Sequence, residues 1–457
     1  MTPEDLDEAV RRGETIWPAL RGASLFLTGG TGFLGRWLLA VLLHAEDQLG
    51  LGLSVTCLSR DPDRFRTHHP ALAGHPAVTL CAGDVRFFNY PHGHFTHVIH
   101  AAADTSVDAD RRPLELIETI VDGTRRVLGF ARSVSAKRVL FVSSGAVYGA
   151  LPAEADSFTE TQSGACSTAD PAAAYGQAKR LAEQLCTVFR HTYGLKTVVA
   201  RGFAFAGPEI RLAGHFAFGN FIADAVAGRP IEIKGDGSPV RSYLYAADAA
   251  VWLLTMLVKG QAGGIYNVGS PRPVSIAELA GRIGSLLGTD VKILGTPDPA
   301  APRRRYLPDT ALAQRELGLE DWTDLDTAIR RTAAWAAARP AEVASPQAPL
   351  VPAHKTFVID IDGVIAGLTP GNDYRLAQPL TDTIAAINRL YDAGHKIVLF
   401  TARGSGTGLD WREVTEGQMA AWGVKHHELR LGKPAADYYI DDRLLSPSEL
   451  QRLGGEA

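Results

Sequence analysis

The chain has 457 residues, 46% hydrophobic and 21% charged, and a net charge of −4. That length calls for two or three domains, and the slight acidity excludes the basic footprint of a nucleic-acid binder. Four scattered cysteines (Cys57, Cys81, Cys166, Cys186) form no C-x-x-C pair, no apolar stretch reaches membrane-span length, and the N-terminus is acidic. A reduced, cytoplasmic protein with neither a membrane nor a nucleic-acid partner is expected.

Residues 3–20 read as one short amphipathic helix packed outside the first domain. Strands are then expected at Ser24–Thr28, Ser54–Leu58, Val78–Cys81, His97–His100, Arg138–Ser143 and Thr197–Ala200. Helical patterns such as Leu34–Leu43 and Pro113–Ser133 fill the gaps. This alternation predicts an α/β, doubly wound parallel sheet of Rossmann type. From about Phe203 the pattern loosens into Gly- and Pro-rich loops, where a small substrate lobe is expected. The first domain is therefore 1–337, with a core of about 22–200 and a lobe of about 201–337. Residues 338–354 read as a semi-rigid linker rich in proline. A second α/β pattern occupies 355–457: strand Thr356–Asp360, helix Leu380–Ala393, strand Lys396–Thr401, helix Asp410–Trp422 and strand Tyr438–Asp441.

The first chemical signal is the glycine turn. Gly29, Gly32 and Gly35 follow a strand and open a helix. Glycine suits a sharp turn and a close approach of backbone to a pyrophosphate, and the helix N-terminus offers free N–H groups. Thr31, Phe33 and Leu34 share the turn and are taken as cofactor-binding with it. After the second strand comes Leu58-Ser59-Arg60. No carboxylate stands there to bind a ribose hydroxyl, and Arg60 can pair with a 2′-phosphate, so NADP(H) is favoured over NAD(H). Asp84, followed by Val85, sits where an adenine amino group can be bound. Ala101, Ala102 and Ala103 are small enough for backbone to lie against the cofactor.

The second signal is a reactive trio. Ser144 ends a strand, and Tyr175 and Lys179 stand four residues apart on one helix face. A free phenol titrates near 10, too high for neutral proton transfer, and a neighbouring ammonium lowers it.

These residues lie in a series of stretches: Thr28 to Gly35, Gly83-Asp-Val85, His100-Ala-Ala-Ala103, Ser143-Ser-Gly-Ala-Val-Tyr-Gly149, Tyr175-Gly-Gln-Ala-Lys179, Arg201 to Pro208, Gly235 to Asp248 and Tyr266-Asn-Val-Gly269. Together they make residues 22–336 resemble the extended short-chain dehydrogenase/reductase family, the epimerase/dehydratase group acting on nucleotide sugars. The resemblance implies that Ser144, Tyr175 and Lys179 are catalytic. It also implies that Arg241 holds the nucleotide diphosphate, assisted by Arg304 or Arg305, and that Asn220 lies in the substrate site. It allows a homodimer. Three departures matter. Gly145 and Ala146 replace the Asp-Glu pair of the 4,6-dehydratases, which disfavours elimination. Ile120 and Ala204 each replace a usual Asn. A ketoreductase and a redox-neutral epimerase both stay open, and a cofactor-sensing scaffold is the rival reading.

The last signal opens the second pattern. Asp360 and Asp362 flank Ile361 at a strand end, on one side of the chain. Thr401 ends another strand, Lys433 follows Gly432, and Asp441 and Asp442 end the last expected strand. Paired carboxylates repel unless a cation is present, and Mg2+ supplies one. The order and spacing resemble the haloacid dehalogenase superfamily, in the cap-less form associated with polysaccharide synthesis, with Val364 where Thr is usual. The resemblance implies an Asp360 nucleophile and an Asp362 acid/base. It makes Thr401 and Lys433 phosphate-binding and gives the metal to Asp360, Asp362, Asp441 and Asp442. The expected substrates are a nucleotide sugar and a phosphorylated small molecule; a silent second domain is the alternative.

His92, His94, His97 and His100 read as a loop cluster plus one cofactor-side residue, not a metal site. Trp322, Trp335, Trp411 and Trp422 read as packing anchors, and Arg330-Arg331 as a solvated helix face.

Overall fold

The computed structural model describes residues 1–103, 112–164, 166–214, 216–296, 304–339, 356–369, 371, 373–392, 394–405 and 408–433. The chain divides into two compact units, Met1–Pro346 and Gln347–Ala457. Among the described residues no helix is long and apolar enough to cross a membrane.

The first unit is built on seven parallel strands. They are β1 (Ser24–Thr28), β2 (Ser54–Ser59), β3 (Val78–Ala82), β4 (His97–His100), β5 (Arg138–Ser144), β6 (Thr197–Gly202) and, farther on, Ile265–Val268. Small two-stranded pairs lie among the later elements: β7 (Phe205–Ala206) with β10 (Leu244–Tyr245), β8 (Ile231–Ile233) with β13 (Val291–Ile293), and β9 (Val240–Arg241) with β12 (Val274–Ser275). Ile265–Val268 is β11, and the main sheet runs β3-β2-β1-β4-β5-β6-β11. The order reverses at β1/β4, which opens a crevice at the carboxyl ends where ligands bind in such sheets. The inner strands β1, β4, β5 and β6 are largely buried runs because helices cover both faces, whereas the edge strand β3 is partly exposed.

The expected break near residue 200 is not a break in space. β6 runs to Gly202, and β11, from the segment assigned to the lobe, pairs with it. The helix Ala246–Lys259 is buried from Ala246 to Leu257 and joins the core that contains Trp37 and Leu140.

The N-terminal segment also differs from expectation. It forms two helices, α1 (Pro3–Arg12) and α2 (Trp17–Leu20), parted at Gly13, where a Cβ would meet the Trp17 ring at 2.6 Å. Neither helix lies outside: Ala9, Ile16, Trp17 and Leu20 are core residues. Asp5 is fully buried, accepting from the Tyr245 hydroxyl and from Arg331, each at 2.8 Å. Arg331 is therefore an ion-pair partner of Asp5 and Glu8 rather than part of a solvated face, while Arg330 is exposed. Asp248 pairs with Arg12 and accepts from the Thr323 N–H at 2.9 Å.

The second unit has three parallel strands, β14 (Thr356–Ile359), β15 (Lys396–Thr401) and β16 (Glu428–Leu431), with β15 in the middle. Helices Thr381–Asp392 and Arg412–Ala421 accompany them. Ile359, Ile361, Ile387, Ile397 and Leu399 form the core. β16 was not expected: Glu-Leu-Arg-Leu carries charge at alternate positions and gains strand character from pairing with β15. The expected strand Tyr438–Asp441 lies outside the described residues.

Candidate active site

β1 delivers the glycine turn against the end of β4. Gly29 has φ +74°, and a Cβ on it would lie 2.5 Å from the carbonyl of Ala101. A Cβ on Gly35 would stand 2.0 Å from the Gly29 oxygen, so the first helical turn is clamped directly onto the loop. Gly32 precedes the helix α3 (Phe33–Leu49) and provides no side-chain cap. The leading N–H groups of that helix are thus left to an anion, which is the cradle a dinucleotide pyrophosphate requires. Arg36 closes the turn by donating to the Thr31 carbonyl at 2.8 Å, and Phe33 and Leu34 pack partly buried against the core.

The β1–β4 contact is secured by a buried hydrogen-bond chain. Thr124 donates to the Ile120 carbonyl at 2.6 Å, so its oxygen accepts from His100 Nε2 at 3.0 Å. His100 Nδ1 then accepts from the Thr28 hydroxyl at 2.8 Å. Burial, aided by the Lys179 charge, drives His100 down to about 3, so this ring is neutral. His100 is therefore a strut beneath the cofactor crevice and not a surface facing it. Ala101, Ala102 and Ala103 follow it, half-buried, with the Ala101 N–H on the Thr28 carbonyl at 3.1 Å.

At the end of β2, Ser59 is buried and its oxygen accepts from the Asp61 N–H at 3.2 Å, while Arg60 is exposed. Asp84 accepts from Arg86 Nε at 2.9 Å and Nη2 at 3.0 Å, a pairing the sequence reading did not foresee. Burial works against ionisation of Asp84, and the Arg86 hydrogen bonds more than offset it, holding the carboxyl below its ordinary range. Val85 is buried and fills the gap left by Gly123.

Ser144 ends β5, almost buried, with its oxygen accepting from the Ala146 N–H at 3.2 Å. Tyr175 and Lys179 come from the helix Ala174–Tyr193. The Lys179 nitrogen lies 5.9 Å from the Tyr175 ring centre and donates to the Val142 carbonyl at 2.8 Å. Burial pulls this ammonium down to about 8, and Glu183 opposes the shift. Glu183 is the hub of a network that sequence reasoning missed. It accepts from Ser143 at 2.6 Å and from Arg201 at 2.7 and 3.0 Å. Arg201 lies over the Tyr148 ring, and Tyr148 donates to Asn267 at 2.7 Å. Asn267 in turn donates to the carbonyls of Phe158 and Asp309. Arg201 and Asn267 stand inside the family-like stretches, which was the one signal available.

Of the expected substrate residues, Arg241 donates to the carbonyls of Val240 and Arg304, and the Arg304 side chain is exposed. Arg305 reaches the Asp156 carbonyl at 3.3 Å. Asn220 donates to the Gly214 carbonyl at 2.7 Å and so ties down its own loop.

With this geometry in place, comparison with known proteins is decisive for the first unit. The model of the NAD dependent epimerase/dehydratase family matches residues 25–269, more than half of the chain. The chain belongs to that family. Family relatives include UDP-glucuronic acid decarboxylase 6 of Arabidopsis thaliana, 29% identical over 300 residues, which are 65% of this chain and 83% of the relative. The dTDP-glucose 4,6-dehydratase of Streptomyces griseus is 28% identical over 320 residues, covering 68% of this chain and 93% of that one. Among solved structures, an epimerase of Methanothermobacter thermautotrophicus superposes with a TM-score of 0.62 at 23% identity, over 73% of this chain and 98% of its own. Bordetella bronchiseptica WbmF, solved with NADH, gives 0.57 at 22% identity, over 71% and 95%. These likenesses carry the fold.

In the second unit, Asp360, Asp362, Thr401 and Lys433 gather at the carboxyl ends of the strands. Asp360 follows β14 and forms an ion pair with Lys433. Asp362 is held by Arg403 through contacts of 2.7 and 2.9 Å. Arg403 is buried, donates to Gln418 at 2.6 Å and lies over the Tyr374 ring. Thr401 is buried, its oxygen accepting from the Arg403 N–H at 3.2 Å. Arg403 escaped the sequence reading, although it stands two residues beyond a strand end. Asp441 and Asp442 lie outside the described residues. Among the described residues no group of three His, Cys, Asp or Glu gathers to hold a metal.

Proposed function

We propose that the first unit is a nucleotide-sugar oxidoreductase, a ketoreductase or redox-neutral epimerase, that transfers hydride at a carbinol carbon without eliminating water or carbon dioxide. The observation carrying this reading is Lys179, buried beside Tyr175 and bonded to the Val142 carbonyl two residues before Ser144, with Gly145 and Ala146 bringing no carboxylate to the same strand end. The names of the relatives, which act on UDP- and dTDP-sugars, support the substrate class. A nicotinamide cofactor, when bound on the glycine turn, supplies or accepts the hydride. The Ser144 hydroxyl holds the substrate oxygen. Tyr175 gives its phenolic proton to that oxygen in reduction and takes it back in oxidation. The Lys179 charge favours the phenolate and so brings the proton transfer into the neutral range. Exposed Arg60 and the absence of a carboxylate at Ser59 favour NADP(H).

The test is a panel of UDP-glucuronic acid, dTDP-glucose and dTDP-4-keto-6-deoxyglucose with NADPH and NADH. Oxidation of NADPH by the keto sugar, lost in Tyr175→Phe, is expected for a reductase. Interconversion of sugar isomers without net cofactor turnover identifies the epimerase. Release of carbon dioxide from UDP-glucuronic acid overturns the reading.

The second unit supports a phosphomonoesterase reading, on the gathering of Asp360, Asp362, Thr401 and Lys433 at one edge. Asp360 would attack phosphorus as the bond to the leaving oxygen breaks. Asp362, held in place by Arg403, would protonate the leaving oxygen and then take a proton from the water that hydrolyses the aspartyl-phosphate and frees Asp360. Hard oxygen donors at 360 and 362 fit Mg2+, which would screen phosphoryl charge. Phosphate release from p-nitrophenyl phosphate, abolished by Asp360→Asn, is the check; no release from the full chain makes the unit silent.

A further inference from the structure

Position 145 carries no side chain, yet the space a side chain would need is taken. A Cβ built on Gly145 would lie 2.7 Å from the Tyr306 hydroxyl oxygen and 2.8 Å from the tip of the Phe203 ring. Tyr306 reaches this point from a segment fastened on two sides. Its N–H donates to the Val240 carbonyl at 3.0 Å, and the Val240 N–H donates to the Arg304 carbonyl at 2.9 Å. On the other side the Phe158 N–H donates to the Leu307 carbonyl, and the Asp309 N–H to the Phe158 carbonyl, both at 2.8 Å. The Tyr306 ring packs on Phe203 with centres 4.6 Å apart, next to Tyr148 and Phe158. Its hydroxyl thus stands at the residue next to Ser144, near Tyr175, and burial raises the phenol well above its ordinary range. It is a donor there and not a base.

A hydroxyl has one hydrogen and two acceptor sites. One acceptor site of Ser144 is filled by the Ala146 N–H. A donor at the second leaves only the Ser144 hydrogen, which must then point to whatever oxygen enters the site. We infer that Tyr306 is a positioning residue of the reaction: it donates to Ser144, aims the serine hydrogen at the substrate oxygen, and fills the volume of a side chain at 145. An acid at that place would have to displace this phenol, so the same residue that orients Ser144 keeps the site to hydride transfer. The inference rests on the oxidoreductase reading of the first unit.

Tyr306→Phe keeps the ring on Phe203 and removes only the hydroxyl. With dTDP-4-keto-6-deoxyglucose and NADPH, kcat falls roughly 5- to 30-fold, the worth of one hydrogen bond, while KM stays within about twofold. In a Ser144→Ala background the same substitution has less than about a twofold effect, because its route of action is gone. Equal losses in both backgrounds, or no loss in either, overturn the inference. A second arm needs no substrate. Gly145→Ala lowers Tm in the wild-type chain, and lowers it clearly less when Tyr306 is already Ala. An equal drop in both backgrounds places the phenol elsewhere and overturns the inference. If the wild-type chain turns over no sugar of the panel, the oxidoreductase reading fails, and the thermal arm still decides whether Tyr306 holds that space.

Discussion

The Lys179 ammonium donates to the main-chain carbonyl of Val142 at 2.8 Å, so its charge is fixed to the carboxyl end of strand β5 rather than free to follow the substrate. Tyr175, one helical turn before it, therefore meets a charge of constant position. The cost is desolvation, and it shows in the lysine's titration.

Lys179 titrates near 8 in the folded chain, against an ordinary value of 10.5. Between these values the unfolded chain keeps a proton that the folded chain has lost. By linkage, stability from this group rises with pH across that window, and the burial penalty is fully present below it. Activity runs the other way, since the charge that assists Tyr175 disappears. The pH profile of kcat/KM is expected to fall above about 8, whereas the urea midpoint shows no matching loss from Lys179.

Glu183→Gln leaves Arg201 buried with its charge unpaired. A loss of about 3–5 kcal/mol is expected, read from urea denaturation of the full chain. Glu183→Gln with Arg201→Met, which removes both charges, recovers most of it.

Arg60→Ala removes the exposed guanidinium after β2. The KM for NADPH is expected to rise by about one to two orders of magnitude, the range of a charge-assisted hydrogen bond, with the NADH value unchanged. Equal effects on both cofactors remove the case for the phosphorylated one.

Arg403→Met strips Asp362 of its bidentate partner while roughly keeping volume. Phosphate release from p-nitrophenyl phosphate is expected to fall at least about 100-fold, as for a misplaced catalytic group. Arg403→Lys, which keeps the charge but not the fork, restores only a minor part. Full activity in Arg403→Met removes Asp362 from the chemistry.

Much of the first unit was legible in the chain. β1 and β4 begin and end where the apolar runs do, and β2, β3, β5 and β6 differ by two residues or fewer. Strands covered on both faces leave that signal. The glycine turn was legible for a different reason: at Gly29 and Gly35 a Cβ would collide with backbone, so the residue type itself records the contact. β16 was not legible, because its strand character comes from pairing with β15 rather than from its own composition.

Residue type and local period thus determined the alternating α/β plan, the glycine cradle and the spacing of Tyr175 to Lys179. Only the tertiary structure decided that Asp5 would be buried between Tyr245 and Arg331, that His100 would be a neutral strut, and that Tyr306 would stand over Gly145. Those partners are separated by tens to hundreds of residues, and a polar side chain carries no local mark of where its partner lies. Burial makes the choice: once the core closes, each buried donor or charge must find the group that satisfies it, and the path of the whole chain sets which group that is.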